Sequence, residues 1–261
     1  MAFKHISSVE NPIFKHLKRL SKNSRERKNE SKTLLDGAHL VNDYIKTYGD
    51  PLQIIIAEGK STYEVTNLIQ DLADVPTIML PTLMFSEISP VASPTGILAL
   101  VDVPKQIEPS RQNFVLFLED IQDPGNLGSI LRSAVAANVD VVYLSIGCAE
   151  AWSPKALRGG QGAQFGLTII ENSDLINRVK NFEGQVLATC LDGVSIYTQD
   201  LKLPTAFLIG NEGSGLSEAL IQLSTRQISI PMSGKVESLN VAAATAICLF
   251  ERVRQNSLDI S

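Results

Sequence analysis

Asn113-Phe114-Val115-Leu116-Phe117-Leu118-Glu119-Asp120-Ile121-Gln122-Asp123-Pro124-Gly125-Asn126-Leu127-Gly128-Ser129-Ile130-Leu131-Arg132 is the stretch on which the fold turns. Phe114 to Leu118 is a continuous apolar run of strand length, as expected where both faces of a strand are covered. A polar loop follows, and Leu127, Ile130, Leu131, Ala134 and Val135 then recur at helical spacing. Asn126 fits the N-cap of that helix. Arg132, roughly 1.7 turns further on, is expected near the same strand-end surface. A cap and a surface arginine would also account for the stretch on its own.

Similar apolar runs continue downstream at Val139 to Ile146, Leu167 to Ile170, Gln185 to Leu191, Ala206 to Ile209 and Ile228 to Ile230. Between them lie helix candidates at Leu127–Asn138, Pro154–Gly159, Asp174–Phe182 and Ser217–Leu223, and a last helix is expected from Ser238 to Gln255. The pattern predicts an α/β domain whose parallel sheet carries helices on both sides. Upstream, from Lys32 to Val103, shorter strands alternate with helix-length segments and suggest a second, smaller α/β domain. The Pro104 and Pro109 region reads as a linker. The expected division is therefore 1–103, a linker at 104–112, and 113–261.

Ligands of parallel sheets sit at the carboxyl ends of strands, so the loops there are the places to search. Leu208-Ile209-Gly210-Asn211-Glu212-Gly213-Ser214-Gly215-Leu216 puts three glycines in six positions after a buried strand. Glycines there allow positive φ and close backbone approach to a ligand. The spacing matches neither a phosphate loop nor GxGxxG. A dinucleotide-dependent oxidoreductase would need GxGxxG after the first strand of this sheet, where the chain reads Asp123-Pro124-Gly125-Asn126-Leu127-Gly128. Glu212 has no structural task in a turn. In Ile228-Ser229-Ile230-Pro231-Met232-Ser233-Gly234-Lys235-Val236-Glu237-Ser238-Leu239-Asn240-Val241 a strand gives way to a polar loop. Ser238 there is explained by an N-cap, whereas Asn240 in the first turn is not favoured by propensity.

Taken together, NLGSILR (126–132), IGNEGSGLSE (209–218) and IPMSGKVESLNVAAATAI (230–247) resemble the signature motifs of the SpoU ribose 2′-O-methyltransferases of the SPOUT superfamily. The segment 153–163 resembles a weaker element of that family, with Gly160 where serine is usual. Asn11 to Lys15, Leu34 to Gly37 and Ser93 to Ile97 resemble the family's ribosomal-protein-like RNA-binding domain. The resemblance implies a carboxy-terminal trefoil knot, a homodimer formed through that domain, and S-adenosylmethionine as methyl donor. It assigns Asn126, Arg132, Glu212, Ser238 and Asn240 to catalysis. Gly210, Ile230 and Leu239, with Ile209 and Met232 beside them, would hold the cofactor. RNA is the implied partner, ribosomal RNA before transfer RNA and the large subunit in particular. A transfer-RNA enzyme and a non-catalytic RNA-binding protein of the same fold are the alternatives.

Overall charge is −5, yet residues 1–35 carry nine basic and three acidic side chains. This is either a solvated helix face or an electrostatic footprint for phosphates, and the resemblance tilts it towards RNA. Lys15, Lys18, Arg19, Arg25, Arg27 and Lys28, together with Arg158, are the expected RNA contacts. The three cysteines, Cys148, Cys190 and Cys248, form no CxxC pair, so buried reduced thiols are expected and no metal site. The residues from Met1 to His5 lack the apolar stretch of a secretory signal. The apolar stretch 241–250 is about half the ~20 residues a membrane span needs. A cytoplasmic location is expected.

Overall fold

The computed structural model describes residues 3–60, 62–91 and 94–257. Met1 and Ala2 of the opening segment, and Ser93 of the last RNA-domain match, lie outside these residues. The elements run β1 (Lys4–His5), α1 (Pro12–Lys22), α2 (Ser24–Glu30), β2 (Lys32–Asp36), α3 (Ala38–Tyr48), β3 (Gln53–Ala57), α4 (Tyr63–Asp71), β4 (Thr77–Leu80), α5 (Thr82–Ile88) and β5 (Ile97–Asp102). They continue with β6 (Phe114–Leu118), α6 (Pro124–Ala136), β7 (Val141–Leu144), α7 (Pro154–Gly160), β8 (Thr168–Ile170), α8 (Leu175–Lys180), β9 (Gln185–Ser195), β10 (Thr205–Ile209), α9 (Glu218–Leu223), β11 (Arg226–Ser229) and α10 (Val241–Ser257).

The chain divides into two units. The first holds residues up to Lys105 together with Trp152–Phe165. The second holds Gln106–Ala151 and the chain from Gly166 onward. The sequence reading had assigned everything after residue 112 to one domain. It missed the excursion because tertiary contacts hold it: Thr33 Oγ1 donates to the Trp152 carbonyl at 2.7 Å, and Tyr48 OH to the Phe165 carbonyl at 3.1 Å. The proline-containing stretch is also no free tether. Gln106 accepts from Ile169 N (2.9 Å), and Glu108 pairs with Arg178 (2.6 Å).

The first unit is a five-stranded mixed sheet in the order β1-β4-β3-β5-β2. Its core includes Phe14, Leu17 and Leu20 from α1, spaced at helical intervals so that one face of that helix is buried. Asn11 caps α1 and Pro12 opens it, as the local sequence favours.

The second unit is a six-stranded parallel sheet in the order β11-β9-β10-β6-β7-β8. All five residues of β6 are buried, as a strand covered on both faces requires. From β6 the chain builds outward through β7 and β8, then crosses to the other side for β9, β10 and β11. The direction of build therefore reverses between β6 and β10. In open parallel sheets the crevice outside the strand ends at such a reversal is where ligands bind.

Candidate active site

Loops from β6, β10 and β11 meet at this reversal point. The first starts α6, and its cap is Asp123, not Asn126: the Asp123 carboxylate accepts from Asn126 N at 2.9 Å, with Pro124 in the first helical position. An Asp-Pro pair supplies both the acceptor and the preset φ, so it outcompetes Asn126 for the cap. The Asn126 side chain is thereby left to reach across the site.

A second correction falls at α10. Ser238 is not its cap. Asn240 is, since its Oδ1 accepts from Ala242 N (2.9 Å) and Ala243 N (3.3 Å). This accounts for an asparagine that helix propensity left unexplained.

The two corrections produce one hydrogen-bonded chain. Asn240 Nδ2 donates to Asn126 Oδ1 at 3.0 Å, and Asn126 Nδ2 donates to Glu212 Oε1 at 2.9 Å. Both amide orientations are determined by the ends, because backbone N–H groups at α10 can only donate and an ionised carboxylate can only accept. Glu212 is thus fixed to the amino-terminal ends of two helices, where partial positive charge favours an anion.

Beside this chain lies a cavity of about 590 Å³, of the size of small-molecule sites. Ile209, Gly210, Ile230, Met232 and Leu239, the five expected cofactor contacts, all line it, as do Glu212 and Ser238. Its other walls include Thr189, Cys190, Leu191, Ile228, Val241 and Cys248, and no lysine or arginine is among the lining residues. Residues 230–239 form no hydrogen bond within the protein among the described residues, so their peptide groups remain available to a ligand. Apolar walls with free peptide groups fit an adenosine moiety. The absence of a lining cation suits a cofactor that carries positive charge.

Gly210 also has a task within the protein itself. A Cβ there would lie 2.3 Å from the Gly215 carbonyl carbon and 2.4 Å from Leu216 N. The glycine is required because the loop folds back on its own strand end, where Asn211 and Gly215 exchange backbone hydrogen bonds. Gly215, with φ +70°, supplies the left-handed residue that this turn needs.

Arg132 does not line the cavity; it is exposed on α6 with no partner among the described residues. Six residues past Asn126 it has turned roughly 240° around the helix, so it stands on another face of α6 from Asn126 and is open to RNA. Asn211, which the sequence reading passed over, organises the glycine-rich loop: its Oδ1 accepts from Gly213 N (2.8 Å) and Ser214 N (3.0 Å).

The thiols also differ. Cys248 is fully buried, whereas Cys148 and Cys190 are partly so. Burial pushes the Cys248 thiol up to about 12, and burial beside Asp192 raises that of Cys190. Among the described residues no cluster of three or more His, Cys, Asp or Glu could hold a metal ion.

In the first unit the expected RNA contacts separate into four groups. Arg25 and Lys28 are exposed. Lys15 pairs with Glu10, Lys18 with Glu87 at 2.6 Å and Arg19 with Glu26 at 2.9 Å. Arg27 is buried, and its Nη1 donates to the carbonyls of Leu20 (2.6 Å) and Ser21 (3.2 Å) at the end of α1. It satisfies helix carbonyls that would otherwise lack partners and is therefore structural. Arg158 is half-buried and donates to the Asp36 carbonyl at 3.2 Å.

A parallel sheet with a cavity at the carboxyl ends of β9, β10 and β11, edged by the chain that joins Asn126, Glu212 and Asn240, has the arrangement of a SPOUT-type methyltransferase domain. Residues 113–250 match the SpoU rRNA methylase family, and residues 11–99 match an MRM3-like substrate binding domain. The chain belongs to the SpoU rRNA methylase family. It is 31% identical over 252 residues to the 23S rRNA (guanosine(2553)-2′-O)-methyltransferase RlmP of Bacillus subtilis, covering 95% of this chain and 98% of that protein. A crystal structure of an RNA 2′-O ribose methyltransferase matches with a TM-score of 0.85 at 27% identity, over 97% of this chain and 99% of that one. The SpoU methyltransferase AviRb of Streptomyces viridochromogenes, in complex with S-adenosylmethionine, matches with a TM-score of 0.81 at 26% identity, over 95% and 100% of the two chains.

Proposed function

We propose that this protein transfers a methyl group from S-adenosylmethionine to a ribose 2′-hydroxyl of ribosomal RNA, the large-subunit RNA in particular. The observation that carries the reading is the Asn240–Asn126–Glu212 chain at the edge of a cavity walled by Ile209, Ile230 and Leu239. Family membership and the AdoMet-bound relative support the cofactor, and the matched substrate-binding domain supports the RNA.

Ile209, Gly210, Ile230, Met232 and Leu239 would hold the cofactor. When bound, it supplies an electrophilic methyl on a sulfonium whose positive charge disappears on transfer. A strongly anionic pocket would stabilise the charged ground state and slow the reaction; here two carboxylates, Glu212 and Glu237, stand among otherwise uncharged lining residues. Glu212, held by Asn126, is a carboxylate of fixed direction beside the place where the ribose must arrive. Ser238 offers a hydroxyl at the same edge. Arg132 acts on the RNA by gripping a phosphate bidentately and stabilising the developing alkoxide. A guanidinium holds its proton too firmly to serve as the base.

The reading extends to a homodimer formed through the second unit, a trefoil knot at the carboxyl end and a cytoplasmic location. Exposed Leu191, Val236 and Phe250 in the second unit support the first of these. No helix among the described residues is long and apolar enough to cross a membrane.

Incubation with methyl-labelled S-adenosylmethionine and separated RNA fractions tests the function. Label entering ribosomal RNA with wild-type protein, and not with Arg132→Ala, is the expected result. Label confined to transfer RNA would move the substrate to the alternative class, and cofactor binding without transfer to any RNA or ribosomal particle would leave the non-catalytic reading.

A further inference from the structure

We infer that Asn211 is a positioning residue for this site, locking the loop that carries Glu212 onto the loop that carries Asn126 through the carbonyl of Asp120. The inference rests on the methyl-transfer reading given above. Asn211 Nδ2 donates to the Asp120 carbonyl at 2.8 Å, while its Oδ1 accepts from Gly213 N (2.8 Å), Ser214 N (3.0 Å) and Ser214 Oγ (3.2 Å). The backbone donors dictate which atom is oxygen, so the nitrogen must face Asp120. One side chain therefore folds its own loop and reaches across to the other.

The far end of this bond is held with equal care. Asp120 sits at φ +54°, a left-handed conformation uncommon for a residue with a side chain. Ser145 Oγ accepts from Asp120 N (2.9 Å) and donates to Asp120 Oδ1 (2.6 Å). At Gly147 a Cβ would lie 2.1 Å from that same carboxylate oxygen, so only glycine leaves room for it. The loop after β7 thus fixes Asp120, and Asp120 presents its carbonyl to Asn211. Two further bonds join the strand ends: Glu119 N to the Ile209 carbonyl (2.9 Å) and Ser217 N to Glu119 Oε2 (2.7 Å). The Asn211 bond is the one that lies next in sequence to Glu212.

Without it, the only direct tie left beside Glu212 among the described residues would be the exposed Asn126–Glu212 hydrogen bond, since the Glu119 bonds act at Ile209 and Ser217.

Asn211→Asp separates the two tasks. The acceptor that folds the loop is kept, and the donor is replaced by an oxygen that repels the Asp120 carbonyl. The expected result is kcat at saturating S-adenosylmethionine lowered roughly 10- to 100-fold, as for a misplaced reacting group, with a smaller change in cofactor affinity because Asn211 also lines the cavity. Gly147→Ala disturbs Asp120 from the opposite side without touching the cavity, and it should lower kcat in the same way. The double variant should be no slower than the slower single, because both cut one link. The Asn126 side-chain amide, followed by nuclear magnetic resonance, should lose its hydrogen-bonded signature in both variants. That readout needs no turnover, so it tests the link even if wild type transfers no methyl, in which case only the functional reading falls. An unchanged kcat, cofactor affinity falling in step with kcat, additive losses, or an unaltered Asn126 signal would overturn the inference.

Discussion

Asn240 Nδ2 stands 3.0 Å from Asn126 Oδ1 although 114 positions separate them in the chain. The contact couples the cap of α10 to the first turn of α6, and Asn126 passes it on to Glu212. Each amide is oriented by the next group, so the chain has one direction and cannot be inverted by a flip.

That polarity makes Asn126→Asp a sharper test than removal. The new carboxylate can still accept from Asn240, yet it faces Glu212 with like charge. We expect kcat to fall by roughly 10²-fold or more, while Asn126→Ser, which can still donate, loses less. Single-turnover methyl transfer with saturating cofactor measures both.

Gly210→Ala should damage cofactor binding through the backbone. Its Cβ would enter the space of Gly215 and Leu216, so the loop must open. A destabilisation of about 1–3 kcal/mol is expected for such overpacking. Affinity for S-adenosylmethionine by calorimetry should weaken at least roughly tenfold, which corresponds to about 1.4 kcal/mol. Unchanged affinity would show that the loop tolerates a side chain there.

Arg27 and Arg25 should behave oppositely. Arg27→Ala leaves two carbonyls at the end of α1 without their partner and should cost about 2 kcal/mol of stability. RNA affinity of the folded fraction should hardly change. Arg25→Glu with Lys28→Glu should leave stability nearly intact and reduce the salt dependence of RNA binding. Denaturant titrations and filter binding at several salt concentrations separate the two effects.

Asp36 offers a pH test of the first unit. Burial raises its pKa above the ordinary 3.8, against the hydrogen bond from Ser89 and the charge of Arg158. The folded state therefore keeps this proton to higher pH than the unfolded chain does. Stability from this source is complete below pH 3.8 and is lost as pH rises through the raised pKa. Asp36→Asn should flatten that part of the stability profile, measured by denaturant unfolding from pH 4 upward. A profile identical to wild type would contradict the assignment.

The legible parts of the sequence were those in which one signal dominates locally. Phe114 to Leu118 is a strand end to end because a run of apolar residues of that length has few other fates. The motif residues Glu212 and Ser238 fell at one cavity because all strand-end loops of a parallel sheet emerge on the same side. Cap assignments failed by two or three residues where several polar candidates compete, as Asp123 does with Asn126 and Asn240 with Ser238. Asn211 was overlooked although an asparagine followed by Gly and Ser two and three positions on signals a side-chain-closed turn. The placement of Trp152–Phe165 with the first unit and the burial of Arg27 depend on contacts with distant segments, which periodicity does not register.

The most direct measurement is the chemical position of the transferred methyl group. Ribosomal RNA labelled by the wild-type protein from methyl-labelled S-adenosylmethionine would be hydrolysed with alkali and its nucleotides separated. A ribose 2′-O-methyl group blocks cleavage at its own phosphodiester. Label is expected in one alkali-resistant dinucleotide, absent with Asn126→Asp. Label released in single nucleotides carrying a methylated base would contradict it.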